Sequence, residues 1–212
     1  MKTILLKDED PICIELPEGG DDSGERHIHF VFPAPVCAAE LLVVEWHDPS
    51  YLVSFEPSPV SLPKLTGLAC CGNFAVFDRL LKVIDTPAIE GVAFMGADIR
   101  SIPEKLLLMP SLKEISISDA QVPYSVPDGI RNLVNLERFN AEFSPIAYLS
   151  PELFRLPHIE HLNFEFSLHD PTPEVLAAAD AFAAAGGFLR RWTTPPASKP
   201  PTLTDGASLP KT

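Results

Sequence analysis

The chain has 212 residues, 46% of them hydrophobic and 21% charged, and a formal net charge of −13. No apolar run approaches the roughly 18 residues that cross a bilayer, so no membrane segment is expected. The excess of carboxylates also works against phosphate backbones, whose binding relies on Lys and Arg displacing counterions. Nucleic acid is therefore not an expected partner, and a protein with a basic surface is the natural complement.

The first residues, MKTILLKDED, offer one Lys and a short apolar run before charges and Pro11, too brief for a secretory core. A cytoplasmic location is expected. Ile12, Ile14, Leu16 and then Ile28, Phe30, Phe32 alternate with polar residues, which predicts two strands joined by the Gly-rich loop 17–26. Residues 1–37 then form an N-terminal β-hairpin that covers the apolar end of whatever follows. His27 and His29 share one face of the second strand, but no third ligand lies nearby in sequence, so no metal and no cofactor is expected. Cys13, Cys37, Cys70 and Cys71 contain no CxxC pair and are expected as reduced thiols.

From residue 38 to 170 the apolar pattern repeats. Anchors at Leu41, Leu65, Ile89, Leu112, Leu136 and Ile159 stand 24, 24, 23, 24 and 23 residues apart. Counting each anchor as position one, position four reads Val44, Leu68, Val92, Ile115, Phe139, Leu162. Position six reads Trp46, Cys70, Phe94, Ile117, Ala141, Phe164. Between these strands, Ile102-Pro103-Glu104, Val126-Pro127-Asp128 and Leu149-Ser150-Pro151-Glu152 each open a short apolar stretch, and a Pro followed by an acid suits the first turn of a helix. Ser54 to Lys64, with Pro57, Pro59 and Pro63, is predicted to be extended, and Ala75 to Val83 helical.

The pattern is most complete in VPDGIRNLVNLERFNA, Val126 to Ala141, and it resembles leucine-rich repeats of the type LPxxIxxLxxLxxLxLxxN. The period falls in the range of that family. The resemblance implies an α/β fold, a right-handed solenoid with parallel strands on a concave sheet. The family's Asn after the strand occurs only at Asn73, with Pro49, Ala97, Ala120, Ser144 and Ser167 elsewhere, so an irregular turn ladder is expected. A single repeat buries too little to order itself, and stacking is obligatory.

After the last repeat, Thr172-Pro173-Glu174 supplies a capping hydroxyl, a first-turn Pro and an acid ahead of VLAAADAFAAA, and Gly186-Gly187 stops it. A C-terminal helical cap is predicted over 171–193, with Val175, Leu176 and Phe182 against the last repeat and Phe188 to Trp192 returning as a strand. Residues 194–212, rich in Pro, Ser and Thr, are expected to be a disordered tail.

No HExxH, GxSxG, GxxxxGK[ST] or GxGxxG occurs, and the histidines fall in three separate regions. No catalytic residue is assigned. The stacked repeats instead align columns of outward residues about 4.8 Å apart. In the later repeats these columns gather Glu114, Asp119, Glu137, Arg138, Glu142, Phe143, Glu160, His161, Glu165 and Phe166 as candidate partner-binding residues, two aromatics among carboxylates. Gly67, Ala69, Gly91 and Ala93 make the earlier half small and smooth. The expected function is a non-catalytic, monomeric module that binds a protein through its concave face, whether as an effector, an immunity protein or a signalling scaffold. The alternatives are a spacer presenting the Pro-rich tail, or a hydrolase or metal protein built on the His27–His29 strand.

Overall fold

The computed structural model describes residues 2–7, 10–15, 27–47, 50–56, 58–167 and 170–192, and counts and absences below refer to these. The loop expected at 17–26 and the tail expected at 194–212 lie outside them. The fold is mixed α/β, mostly strand, with parallel sheets and no closed barrel.

Eight strands form the main sheet: β2 (Ile12–Glu15), β4 (Leu41–Trp46), β7 (Gly67–Gly72), β9 (Gly91–Met95), β10 (Glu114–Ser118), β12 (Arg138–Asn140), β14 (His161–Asn163) and β15 (Phe188–Arg190). Their order in space is their order along the chain. Ile12, Leu42, Leu68, Val92, Ile115, Phe139, Leu162 and Leu189 stand side by side in parallel register. The first seven are buried, because one face of every strand turns onto the core.

This register moves the first repeat by two residues from its predicted position. Leu42, not Val44, stands beside Leu68, and Val44 stands beside Cys70. The buried anchor is Ala39, whereas Leu41 is 39% exposed. Val44 and Trp46 point inward in either register, which is why strand alternation alone fits both, but Leu41 and Leu42 exchange faces, Leu42 turning inward.

The predicted N-terminal hairpin does not form. Residues 12–15 join the main sheet beside β4, while β3 (His27–Val31) lies in a separate three-stranded parallel sheet between β1 (Lys2–Leu5) and β5 (Leu52–Glu56). Strands next to each other in sequence thus alternate between two layers. Aromatic packing accounts for it: Phe30 of β3 meets Trp46 of the main sheet edge-on at 6.0 Å and stacks on Phe55 of β5 at 5.8 Å. Both layers bury one face against the other.

Beyond β5 the outer layer changes character. The described residues of the Pro-rich stretch are non-helical, strand at 54–56 and 60–61 with bends and a turn between and after them, and β6 (Val60–Ser61) pairs with β8 (Ile84–Asp85). Helix α1 (Phe74–Val83) starts where the Asn73 side chain accepts from the Ala75 amide at 2.9 Å. It buries Val76, Phe77, Leu80 and Leu81, which lie on one helical face. Later outer segments hold only α2 (Glu104–Leu107), 3-10 turns at Asp128–Asn132 and Pro151–Arg155, and the pair β11 (Tyr124–Val126) with β13 (Ile146–Leu149). One Asp128 carboxylate oxygen accepts from Ser150 Oγ at 2.6 Å and from the Tyr148 hydroxyl at 2.7 Å, tying two outer segments together.

Helix α3 (Pro173–Ala184) is capped by Thr172 Oγ1, which accepts from the Val175 amide at 3.3 Å. Val175, Ala178, Ala179 and Phe182 are buried, with Phe182 edge-on to Phe154. Leu176 departs from its predicted role and is 38% exposed, because one step along a helix turns a side chain by about 100°. The chain turns at Gly186, φ +95°, and β15 lies parallel beside β14. No described helix is long and apolar enough to cross a membrane.

Candidate functional site

Each strand of the main sheet from β7 to β14 ends on, or is followed by, one left-handed residue: Gly72 (φ 86°), the last of β7, then Gly96 (57°), Asp119 (54°), Phe143 (53°) and Phe166 (58°) beyond their strands. They recur with the repeat, at position eight. Gly72 is demanded by space as well as by φ, since a Cβ there would lie 2.3 Å from the Trp46 carbonyl oxygen. Asp tolerates the left-handed region because its short side chain bonds locally, but Phe seldom does. Two aromatic residues held there cost on the order of 1–3 kcal/mol each.

Buried serines bond the backbone at two of these turns. Ser144 Oγ accepts from the Ala120 amide at 3.1 Å and lies 3.1 Å from the Ile117 carbonyl oxygen, and Ser167 Oγ donates to the Phe164 carbonyl oxygen at 2.8 Å. Both serines are buried. The first joins neighbouring turns, and the second bonds within its own.

The ten candidate binding residues divide into two groups. Glu114, Arg138 and His161 are the opening residues of β10, β12 and β14, with Glu137 and Glu160 just before β12 and β14. Asp119, Glu142, Phe143, Glu165 and Phe166 lie beyond the strands' far ends, in the turns. Five residues at about 3.3 Å each separate positions three and eight, so the groups stand some 16 Å apart. The pleat stops at the strand's end, and position eight is aimed by its turn instead of by the sheet. Asp119, Phe143 and Phe166 are therefore rim residues, where alternation placed them on the face.

At the strand starts, Glu114 is neutralised by Arg138 at 3.0 Å, and His161 packs against Phe188 at 5.4 Å. At the far ends, Glu165 pairs with Arg190 at 2.9 Å, and the Arg190 guanidinium sits 5.8 Å over the Phe188 ring. Asp119, Glu137, Glu142 and Glu160 carry no ion pair among the described residues. Phe143 and Phe166 stack with centroids 4.8 Å apart and planes 12° from parallel. That separation matches the strand spacing, and Phe143 remains 50% exposed. In the middle of the face, Asn140 donates to Ser116 Oγ at 3.1 Å while its buried carbonyl oxygen is unbonded among the described residues.

The earlier half of the face is smooth. A Cβ added at Gly67 would crowd Leu41 Cδ1 at 2.9 Å, whereas one at Gly91 would meet nothing within 4 Å. Neighbouring repeats account for the first glycine and not for the second. Burial pushes the Cys70 thiol up to about 12, with Cys71 and Asp98 adding to the shift, so Cys70 is an inert core residue.

His27 and His29 stand on the outward face of β3, where Ser54 of β5 lies between them. Ser54 Oγ is 3.1 Å from His27 Nε2 and 2.8 Å from His29 Nδ1, and His29 Nε2–H reaches Glu56 Oε2 at 2.9 Å. Spacing along one strand showed the histidines but not Ser54 and Glu56, which the parallel pairing supplies. No group of three or more His, Cys, Asp or Glu among the described residues is arranged to hold a metal.

No protein-family model matches this chain, and no curated protein is significantly similar to it.

Proposed function

We propose that the chain is a leucine-rich-repeat module, a right-handed solenoid that binds a protein partner without catalysis. The recurring anchors, the matching strand registers and the left-handed residue that recurs at 24- or 23-residue steps support the repeat assignment. Parallel strands joined through an outer layer favour right-handed connections. The observation that carries partner binding is the stacked pair Phe143–Phe166, held at the rim on left-handed backbone with Phe143 half exposed. Aromatic residues of this kind anchor protein interfaces. The net charge of −13 selects a partner with a basic surface, and open Gly91 lets a partner's backbone come close to the sheet.

The test is a pull-down with mass spectrometry, comparing wild type with the double variant Phe143→Ala, Phe166→Ala. A central aromatic anchor contributes about 2 kcal/mol or more, so the double variant loses its main partner while keeping its fold. Glu142→Gln slows association with that same partner, and Glu137→Gln with Glu160→Gln, at the other end of the strands, does not. Recovery of every partner by the double variant at wild-type levels sinks the assignment.

A second proposal, a hydrolase, has one observation in its favour: Ser54, His29 and Glu56 form a nucleophile, base and orienting acid within hydrogen-bond reach. The relay lies on an open sheet face with the Glu56 side chain 67% exposed, a poor place to exclude water. Labelling by a fluorophosphonate that disappears in Ser54→Ala would favour it.

A further inference from the structure

The main sheet ends at β15, a strand of three residues with β14 on one side and no described strand on the other. Phe188 N–H donates to the Glu160 carbonyl oxygen at 2.8 Å, and the Arg190 carbonyl oxygen accepts from Phe164 N–H at 2.8 Å. Successive residues of a strand turn their backbone groups to opposite sides, so the N–H and C=O of Leu189, between these two, point to the open edge. We propose that this edge pairs antiparallel with β15 of a second copy of the chain, joining two arrays about a twofold axis at Leu189. The inference goes beyond partner binding at the rim and is independent of it, and it replaces the monomer expected from the sequence.

The strand is self-complementary in that pairing. With Leu189 opposite itself, each copy's Leu189 N–H donates to the carbonyl oxygen of the other, as in the hydrogen-bonded pair of an antiparallel ladder. Phe188 then lies opposite Arg190 of the second copy, twice, at the positions between hydrogen bonds where side chains come closest. Within one chain the Arg190 guanidinium already sits 5.8 Å over the Phe188 ring, which is 50% exposed. The second copy brings a further guanidinium to each ring.

Helix α3 backs the sheet at this end and suits the same axis. Its Ala177, Ala181 and Ala185 line a groove of about 510 Å³ that faces Phe154 and Arg155 of the preceding 3-10 turn. Leu176, Asp180 and Ala183 lie round the helix from that groove, toward the open end, and all three are exposed. The twofold axis turns these sides of the two helices toward each other, with Leu176 and Ala183 as apolar contacts. Charge does not oppose the approach, although the whole chain carries −13: at this end Glu165 is paired with Arg190 and Asp180 with Arg191. A three-residue strand and one helix side make a small interface, so the dimer belongs in the weak range, with a dissociation constant of about 10 µM to 1 mM.

Sedimentation velocity of the full chain across that concentration range is expected to pass from one chain to two and stop there. Mixed 13C-labelled and unlabelled chains should give NOEs between the Phe188 ring and the Arg190 side chain of the second copy. Leu189→Pro removes an N–H that points away from β14, a change a sheet edge accepts, and Phe188→Lys sets lysine against arginine at both cross-strand pairs. Each should weaken the dimer at least about tenfold while keeping the wild-type circular dichroism spectrum, and Phe188→Lys decides if Leu189→Pro does not fold. Deletion of 194–212 should leave the dimer unchanged. A single chain at every concentration, or a dimer that lacks those NOEs and is indifferent to Phe188→Lys, would overturn the proposal. So would growth beyond two chains, which means that β15 meets β2 of the next copy, or a dimer that forms only after deletion of 194–212, which gives the edge to the chain's own C-terminal segment.

Discussion

Leu42 lies directly beside Leu68 in the parallel register of the main sheet, and both are buried. Leu42→Ala is accordingly expected to cost about 2–5 kcal/mol, as for other buried leucines. Leu41→Ala, one residue earlier and partly exposed, should stay within about 0.5 kcal/mol. Denaturant midpoints of the two variants check the register, and a reversed order would mean that the first repeat is wrongly placed.

Two glycines of the same sheet should respond in opposite ways. Gly91 has ordinary backbone and open space where a Cβ would go, so Gly91→Ala should leave stability unchanged or raise it by about 0.4–1 kcal/mol through the unfolded chain. Gly72 has φ +86° and the Trp46 carbonyl in the way, and Gly72→Ala should cost more than about 1 kcal/mol. Thermal melts of the pair measure the contrast. If Gly91→Ala is stable yet weakens a recovered partner, close approach at the sheet is the reason for glycine there.

Asp128 makes stability sensitive to acid. Hydrogen bonds from Ser150 and Tyr148 hold its carboxyl below the usual carboxylate value, the nearby Arg131 helping. A folded pKa below the unfolded one means the contribution is fully present above about pH 4, the ordinary carboxylate range, and is lost as pH falls through the folded value. Asp128→Asn should lower stability at neutral pH and flatten its decline below about pH 4. Tyr148 shifts the other way, upward, chiefly because its hydroxyl donates to Asp128, so its contribution fades only in strong alkali. Unfolding free energies against pH for wild type and Asp128→Asn test both signs, and parallel curves would refute the link.

Deleting residues 172–192 should expose Phe154, Phe164 and the open edge of β14, since Phe182 and Trp192 pack on those rings. Loss of a closing element leaves an apolar end and an unpaired strand, and aggregation follows. Light scattering on heating compares this truncation with deletion of 194–212, which should behave like wild type. Equal aggregation would mean that α3 closes nothing.

The sequence made the inward rows and α3 legible because both rest on strong local signals: apolar residues at a fixed step, and Thr172, Pro173 and Gly186 at the helix ends. It also placed Leu68, Val92, Ile115, Phe139 and Leu162 side by side, but for the first strands it could not reveal which ones pair. Ile12–Glu15 and His27–Val31 alternate as a hairpin would, and only packing of Phe30 between Phe55 and Trp46 separates them into two layers. At the candidate site, charge and aromatic content were readable, but the position of Phe143 depended on a left-handed turn that phenylalanine rarely adopts. Gly72 and Gly96, at the same place in earlier repeats, were the available hint. Ser54 and Glu56 joined His29 through a pairing that no spacing along a single strand contains.

The main sheet keeps its strands in the order of the chain, with every interior strand hydrogen-bonded to the one before and the one after. Under tension applied across its two edge strands, no strand is clamped by a distant segment. Single-molecule force traces should therefore show a series of small ruptures, each releasing one unit of about 24 residues, and not the single high peak of a sheet whose ends are crossed. Relaxed again, the chain can re-form from whichever units remain, because each strand of this sheet needs only its immediate neighbour as a template.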